Sequence, residues 1–339
     1  MKVALFGTNG SGRKTLMTAM QGGKVVPPSP GKKTTVVVPV PDGRVLALSG
    51  IFNPKKTTYA TVELSFEDQP GAELAKTLQT VRNNDVLVQV VGVFDKPGDP
   101  VELVRQELIR TASEMALCDL MVVDKRLSGL QKTGTKGVER DLFEKLHATL
   151  DAGQPLSTLA FSDVELEGLE VFSFLTLKKL ITVVNLPESF PPADYAATEA
   201  KLRQGGANPL LLCASLEAEV ATLSPEEQLG FLKELGMGEP ASHRLVKGIF
   251  AALNLISFLT VGPDEVRAWP VASGSLAPRA AGKVHTDIER GFIRAEVVGY
   301  DDFIAAGSMA AAKRSGTFRT EGKSYVVKDG DIINFLFNV

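Results

Sequence analysis

The residues best suited to chemistry stand near the start of the chain, in Gly7-Thr8-Asn9-Gly10-Ser11-Gly12-Arg13-Lys14-Thr15. A phosphate loop needs backbone N–H groups converging on anionic oxygens at a helix N-terminus, glycines that permit the turn, and a lysine that reaches the terminal phosphates. Aligning Gly7 and Gly12 with the glycines of G-x-x-x-x-G-K-[ST] places Arg13 at the lysine position and Lys14 at the metal-binding hydroxyl position. Arg13 keeps the charge in a bulkier planar group. Lys14 changes more, because an ammonium only donates and cannot ligate Mg²⁺. One unit charge pair at about 4 Å is worth roughly 4 kcal/mol at an effective dielectric of 20. Thr15 serves a metal only if the loop shifts by one residue. Asn9, Gly10, Ser11, Gly12, Arg13, Lys14 and Thr15 are thus the candidate phosphate-binding residues. The plain alternative is a glycine-rich strand-to-helix turn.

Two further patterns weigh against that alternative. Asp68-Gln69-Pro70-Gly71 fits D-x-x-G, in which a carboxylate holds metal-bound water and a glycine N–H senses a γ-phosphate. Asp68 joins Thr15 as a candidate metal residue, and Gly71 is a candidate phosphate sensor. After the apolar run Leu180 to Val184 comes Asn185-Leu186-Pro187-Glu188, where guanine-nucleotide proteins carry N-x-x-D; Glu188 lengthens the reach of the carboxylate. Cys213-Ala214-Ser215-Leu216-Glu217 follows the next apolar run, which makes Ser215 and Leu216 candidates for base contact.

The elements that must position these residues alternate. Apolar runs at Lys2 to Phe6, Thr34 to Val40, Tyr59 to Phe66, Asp85 to Val93, Leu180 to Val184 and Pro209 to Cys213 read as strands, with helical patterns between several of them. Such alternation predicts an α/β sheet. Between Pro100 and about Asp151 the pattern is helical and broken near Gly134 to Gly137, as in an antiparallel hairpin that offers a surface to a large partner, or in two ordinary packing helices. Ser224-Pro225-Glu226-Glu227 supplies an N-cap, an N1 proline and a capping-box glutamate for a helix running towards Gly236, followed by another over about Ala241 to Leu253. From Ile256 short strands predominate, including Phe292 to Val298, Ser324 to Val327 and Ile332 to Asn338, as in a small α+β unit.

The chain has 339 residues, 44% hydrophobic and 23% charged, enough for two or three domains. A formal net charge of −3 argues against a strongly nucleic-acid-binding surface overall while leaving local basic patches open. Cys118 and Cys213 lack the spacing of a metal site or a disulfide framework and read as reduced cytoplasmic thiols. The N-terminal apolar run is too short for a signal core or a membrane span.

With these residues in view, the sequence resembles the YchF/Obg-like ATPase family, in which N-x-x-E replaces N-x-x-D. The most specific matches are VRAWPV (Val266 to Val271), APRAAGKVHTDIERGFIRAEV (Ala277 to Val297), YDDF (Tyr300 to Phe303), EGKSYVVKDGD (Glu321 to Asp331) and NFLFNV (Asn334 to Val339). The resemblance spans essentially the whole chain, including VPVPDGRV after the first switch region, and is strongest behind Leu180. It implies a P-loop domain over 1–100 and 172–254, a helical hairpin insert over 101–171, and a TGS-like (β-grasp) α+β domain over 255–339. It implies ATP at least as readily as GTP, leaves Mg²⁺ open, and implies a histidine that orients the attacking water in the loop after the strand at Asp85 to Val93. The chain's histidines, His147, His243 and His285, lie elsewhere, and that loop reads FDKPGDP.

Two functions follow as expectations. One is a nucleotide-binding regulator, linked to the ribosome, translation or stress, whose hydrolysis is impaired or absent. The other is a nucleotide-free scaffold that meets ribosome or RNA through the helical insert and the TGS-like domain. Lys283, Arg290, Arg294, Lys313, Arg314, Arg319 and Lys323 are candidate phosphate contacts there, or simply solvated charges.

Overall fold

A strand buried on both faces reads as an unbroken apolar run, and Val86–Gly92 is buried at every position. In the computed structural model, which describes residues 2–24, 33–67, 73–94, 97–134, 137–204 and 207–338 apart from the side chain of Pro225, this run is a central strand of a six-stranded sheet. Asp68 and Gly71 lie outside the described residues.

In chain order, β1 (Lys2–Phe6), α1 (Arg13–Met20), β2 (Lys33–Pro39), α2 (Gly43–Phe52), β3 (Lys56–Thr58), β4 (Thr61–Glu67), α3 (Leu74–Val81) and β5 (Val86–Gly92) come first. Then follow α4 (Pro100–Lys132), α5 (Val138–Asp151), α6 (Asp163–Glu170), β6 (Lys179–Asn185), α7 (Tyr195–Gln204), β7 (Leu210–Leu212), α8 (Ala214–Val220), α9 (Pro225–Glu234) and α10 (Ala241–Ala252). The C-terminal stretch adds β8 (Leu255–Thr260), β9 (Glu265–Ala272), α11 (Ala277–Val284), α12 (Thr286–Arg290), β10 (Phe292–Gly299), α13 (Tyr300–Ala306), α14 (Met309–Arg314), β11 (Arg319–Glu321) and β12 (Asp331–Phe337).

The first sheet runs β2-β4-β1-β5-β6-β7. β1 pairs in parallel with β4 and β5, β5 with β6, and β6 with β7. Parallel neighbours need crossover connections, and the intervening helices supply them. The register Gly92↔Asn185 and Asn185↔Leu212 brings the ends of β5, β6 and β7 level, so the loops after them open at one edge. This is an α/β sheet, as the alternating pattern predicted.

The helical segment is a long pair. Asp99 caps α4 by accepting from the Val101 amide at 3.3 Å, and Pro100 stands in the first turn. α5 packs along α4 through Phe143, Leu146 and Leu150, which share a core with Ala116 and Val123 of α4 and with Phe174. Arg126 pairs with Glu139, and the His147 Nε2 lies 3.2 Å from Asp124, so His147 faces the neighbouring helix of the pair.

The second sheet runs β11-β10-β12-β8-β9-β3. β10 is antiparallel to β11 and β12, β12 is parallel to β8, and β8 is antiparallel to β9. The chain divides into two packed units, Met1–Val36 with Glu63–Leu245, and Val37–Val62 with Val246–Val339. The stretch from Val37 to Val62 falls inside the expected N-terminal domain range yet groups with the C-terminal unit. Its β3 pairs in parallel with β9, its Arg44 donates to Asp42 and Asp329, and its Phe52 stacks on Phe303 at 5.6 Å. Ser324 to Val327, expected as a strand, contributes only a bridge between Val326 and Leu276. Its Tyr325 hydroxyl donates to Asp331 at 2.7 Å, which folds the segment into a turn before β12.

Candidate functional site

Between β1 and α1 the chain turns on glycines. Gly7, Gly10 and Gly12 all have positive φ, and Gly12 sits in the left-handed region as the N-cap of α1. Two of these positions tolerate no side chain: a Cβ on Gly7 would lie 2.2 Å from the Val90 carbonyl oxygen, and one on Gly12 would lie 2.0 Å from the Asn185 amide nitrogen. α1 has no side-chain cap and no acid in its first turn. A helix that opens in this way favours an anion at its N-terminus through its dipole.

Asn185, the last residue of β6, organises what surrounds the loop. Its side chain is buried, its Nδ2 donates to the Ser11 carbonyl at 3.0 Å, and its Oδ1 accepts from the Ala214 amide at 2.8 Å. One amide thereby joins the glycine loop to the start of α8. The candidate role from the sequence was direct nucleotide contact; the geometry shows a residue whose polar atoms brace two loops against each other.

These loops wall a cleft of about 690 Å³ lined by Asn9 to Thr15, Phe66, Phe94, Asn185 to Glu188, Ala214 and Ser215. That volume lies within the usual range for a small-molecule site. Of the sequence-predicted residues, the structure brings together Asn9, Gly10, Ser11, Gly12, Arg13, Lys14, Thr15, Asn185, Glu188 and Ser215. Leu216 is half-buried and is not among the residues lining the cleft. Glu188 stands exposed, and Ser215 shares a hydrogen bond of 3.2 Å with the Cys213 thiol.

Phe66, Phe94 and Ala214 line the cleft without having been singled out from the sequence. Phe66 lies near the end of β4 and reads there as one more core residue, while Ala214 acts through its backbone. Among residue-type signals none marks them; only their place directly after or at the end of a strand does.

Charge in the cleft is mostly positive. Arg13, Lys14 and Glu188 are the charged residues that line it among those described. Arg13 is 7% exposed and also lines a small recess of about 130 Å³ with Gly7, Thr8, Asn9, Glu67, Glu73 and Arg110. Lys14 is exposed and Thr15 half-buried. A triphosphate suits this lining, and so does Ser11, whose hydroxyl is buried with no hydrogen-bond partner among the described residues. Mg²⁺ suits it poorly, because the second helical residue offers an ammonium where a hydroxyl ligand is needed. No group of three or more His, Cys, Asp or Glu able to hold a metal occurs among the described residues.

Glu217, two residues past Ser215, is buried and accepts from the Ala241 amide at 2.8 Å, the Ser242 amide at 3.0 Å and the Ser242 hydroxyl at 2.7 Å. It caps α10 from α8 and so holds the base-loop helix in place. Glu217→Ala leaves three buried donors unpaired and is expected to lower stability by about 2–4 kcal/mol. Urea unfolding of the two proteins measures the difference.

No helix among the described residues is long and apolar enough to cross a membrane. Comparison with known proteins extends the local geometry to the whole chain. A family model named YchF-GTPase_C, described as "Protein of unknown function (DUF933)", matches residues 255–338. The chain is similar to the ribosome-binding ATPase YchF of Haemophilus ducreyi, at 35% identity with 100% of this chain and 99% of that protein aligned. The Bacillus subtilis protein of the same name is 35% identical over 89% of this chain and 88% of its own length. Among solved structures, the Schizosaccharomyces pombe YchF GTPase superposes with a TM-score of 0.84 at 26% identity, covering 99% of this chain and 97% of that one. Similarity at this level along the whole of both chains shows that the chain belongs to the YchF family.

Proposed function

We propose that this chain is a nucleotide-binding regulatory protein of the Obg-like ATPase type that takes ATP or GTP in the cleft braced by Asn185 and hydrolyses it slowly or not at all. The observation that carries this reading is the Asn185 side chain, which ties the glycine loop to Ala214 and so fixes a phosphate end and a base end around one cavity. The amides of the loop and of the first turn of α1 receive phosphate oxygens, with Arg13 supplying positive charge. Glu188, Ser215 and the Ala214 backbone surround the base. Phe66 and Phe94 exclude water from one side. The relatives are named ribosome-binding ATPases, which supports a cytoplasmic role at the ribosome through the helical pair and a TGS-like C-terminal unit. Impaired turnover rests on Arg13 and Lys14, which replace the lysine and the hydroxyl that position phosphates and metal.

Calorimetric titration with non-hydrolysable ATP and GTP analogues is expected to show millimolar or tighter binding, and phosphate release is expected near background. The double variant Arg13→Lys/Lys14→Ser should raise phosphate release by about tenfold or more. Rapid turnover by the native chain would contradict the reading of damage.

A second reading, the nucleotide-free scaffold, draws on the burial of Arg13 between the cleft and the recess behind the loop. Lys283, Arg290, Arg294, Lys313, Arg314 and Lys323 are exposed, and Arg319 is half-buried. Under this reading the chain co-sediments with ribosomes equally with and without nucleotide, and less as salt rises.

A further inference from the structure

We infer that this chain takes its nucleoside triphosphate free of divalent metal, with the Lys14 ammonium set against the phosphates where the phosphate-loop motif has a hydroxyl on Mg²⁺. The inference rests on the nucleotide reading of the same cleft and names the form of the ligand. α1 opens at Arg13 with Gly12 as its left-handed N-cap, so Lys14 is its second residue. This is the register the motif alignment gives. Thr15 comes 1.5 Å further along the axis and about 100° around it, by ordinary helix geometry, and does not occupy the place of Lys14.

Lys14 is exposed and lines the cleft beside Gly12, Ser11 and Ser215. Its ammonium brings three donors and no acceptor, so it serves phosphate oxygens and repels a divalent cation at the same spot. Glu188 is the only carboxylate lining the cleft among the described residues, and it comes from the segment after β6 rather than from the phosphate loop. Asp68 lies outside the described residues; wherever it stands, Lys14 removes the inner-sphere ligand at its own position. The buried Ser11 hydroxyl, without a hydrogen-bond partner among the described residues, adds a donor at the loop that a phosphate oxygen satisfies. Arg13 and Lys14 give the start of α1 two basic residues where the motif has one basic residue and a hydroxyl.

The test is calorimetric titration of the full chain with a non-hydrolysable ATP analogue, once in EDTA and once in excess Mg²⁺. The expected Kd is the same in both buffers within about threefold, or tighter in EDTA, because the protein supplies the charge that Mg²⁺ otherwise brings. Lys14→Ser should create metal dependence, with binding about tenfold or more weaker in EDTA than in Mg²⁺. Thermal unfolding of the unliganded variant checks that it folds, and the native two-buffer comparison stands alone if it does not. Native binding that is tenfold or more tighter in Mg²⁺ overturns the metal-free inference and leaves the nucleotide site standing. Absence of binding in both buffers overturns the nucleotide site itself, and this inference with it.

Discussion

Asn185→Ala is expected to lower affinity for ATP and GTP analogues by about 30-fold or more. The change removes both hydrogen bonds of the buried amide and leaves the Ser11 carbonyl and the Ala214 N–H without their partner. Buried groups left unpaired cost about 1–3 kcal/mol each, and every 1.4 kcal/mol is about tenfold in binding. The loss comes through geometry, since the two loops that wall the cleft are no longer held at one separation. Asn185→Asp separates the two bonds: it keeps an acceptor for Ala214 and loses the donor to Ser11. That variant also sets a carboxylate oxygen against the Ser11 carbonyl in a cleft that takes phosphates, so calorimetric titration should show both variants binding more weakly than the native chain. Equal binding by all three proteins would show that Asn185 positions nothing the ligand uses.

The second large effect lies away from the cleft. Asp119 of α4 is fully buried and accepts from the Leu175 amide at 2.9 Å, the Thr176 amide at 2.8 Å and the Thr176 hydroxyl at 2.9 Å, with Arg82 at 3.3 Å. It pins the chain leaving the helical pair back onto α4, just before β6 delivers Asn185. Asp119→Ala leaves three donors unpaired and takes the carboxylate from Arg82, which keeps its bond to the Cys118 carbonyl, and the expected loss of stability is about 3–5 kcal/mol. Burial holds the Asp119 carboxyl above the usual carboxylate range, against the hydrogen bonds from Thr176 and Leu175 and the charge of Arg82, which pull it down. A raised folded-state value means that the folded chain holds this proton more tightly than the unfolded chain does. The linked stability is thus complete below the ordinary carboxylate value and is lost as pH rises through the raised one. Urea unfolding at a series of pH values should show the native-minus-variant difference shrinking as pH rises above the ordinary carboxylate value.

The sheet was legible because its inner strands declare themselves as apolar runs, β5 being buried at every position; β1, β5 and β6 fall within a residue or two of their expected limits. The helix at Pro225 was legible from chemistry alone, and the reciprocal Ser224 and Glu227 hydrogen bonds are present. The grouping of Val37 to Val62 with the C-terminal unit was not legible, because three residues of β3 pair with Glu265 to Arg267 more than two hundred positions later. Local periodicity carries no trace of such a partner. The cleft was legible in its charged and glycine positions, where residue type limits the chemistry. It was not legible at Ala214, which contributes a backbone N–H that any residue but proline has. Glu217 read as part of a base-contacting loop, and only its three bonds to the start of α10 reveal a cap.

The central claim is that the glycine loop and the Asn185 brace enclose a nucleotide. A crystal structure of the chain soaked with a non-hydrolysable ATP analogue tests it directly. The account predicts phosphates against the amides between Asn9 and Thr15, the base beside Glu188 and Ser215, and the Asn185 bonds to Ser11 and Ala214 intact. A loop whose amides face away from an empty cleft, or one in which Arg13 fills the space meant for phosphate, would contradict it.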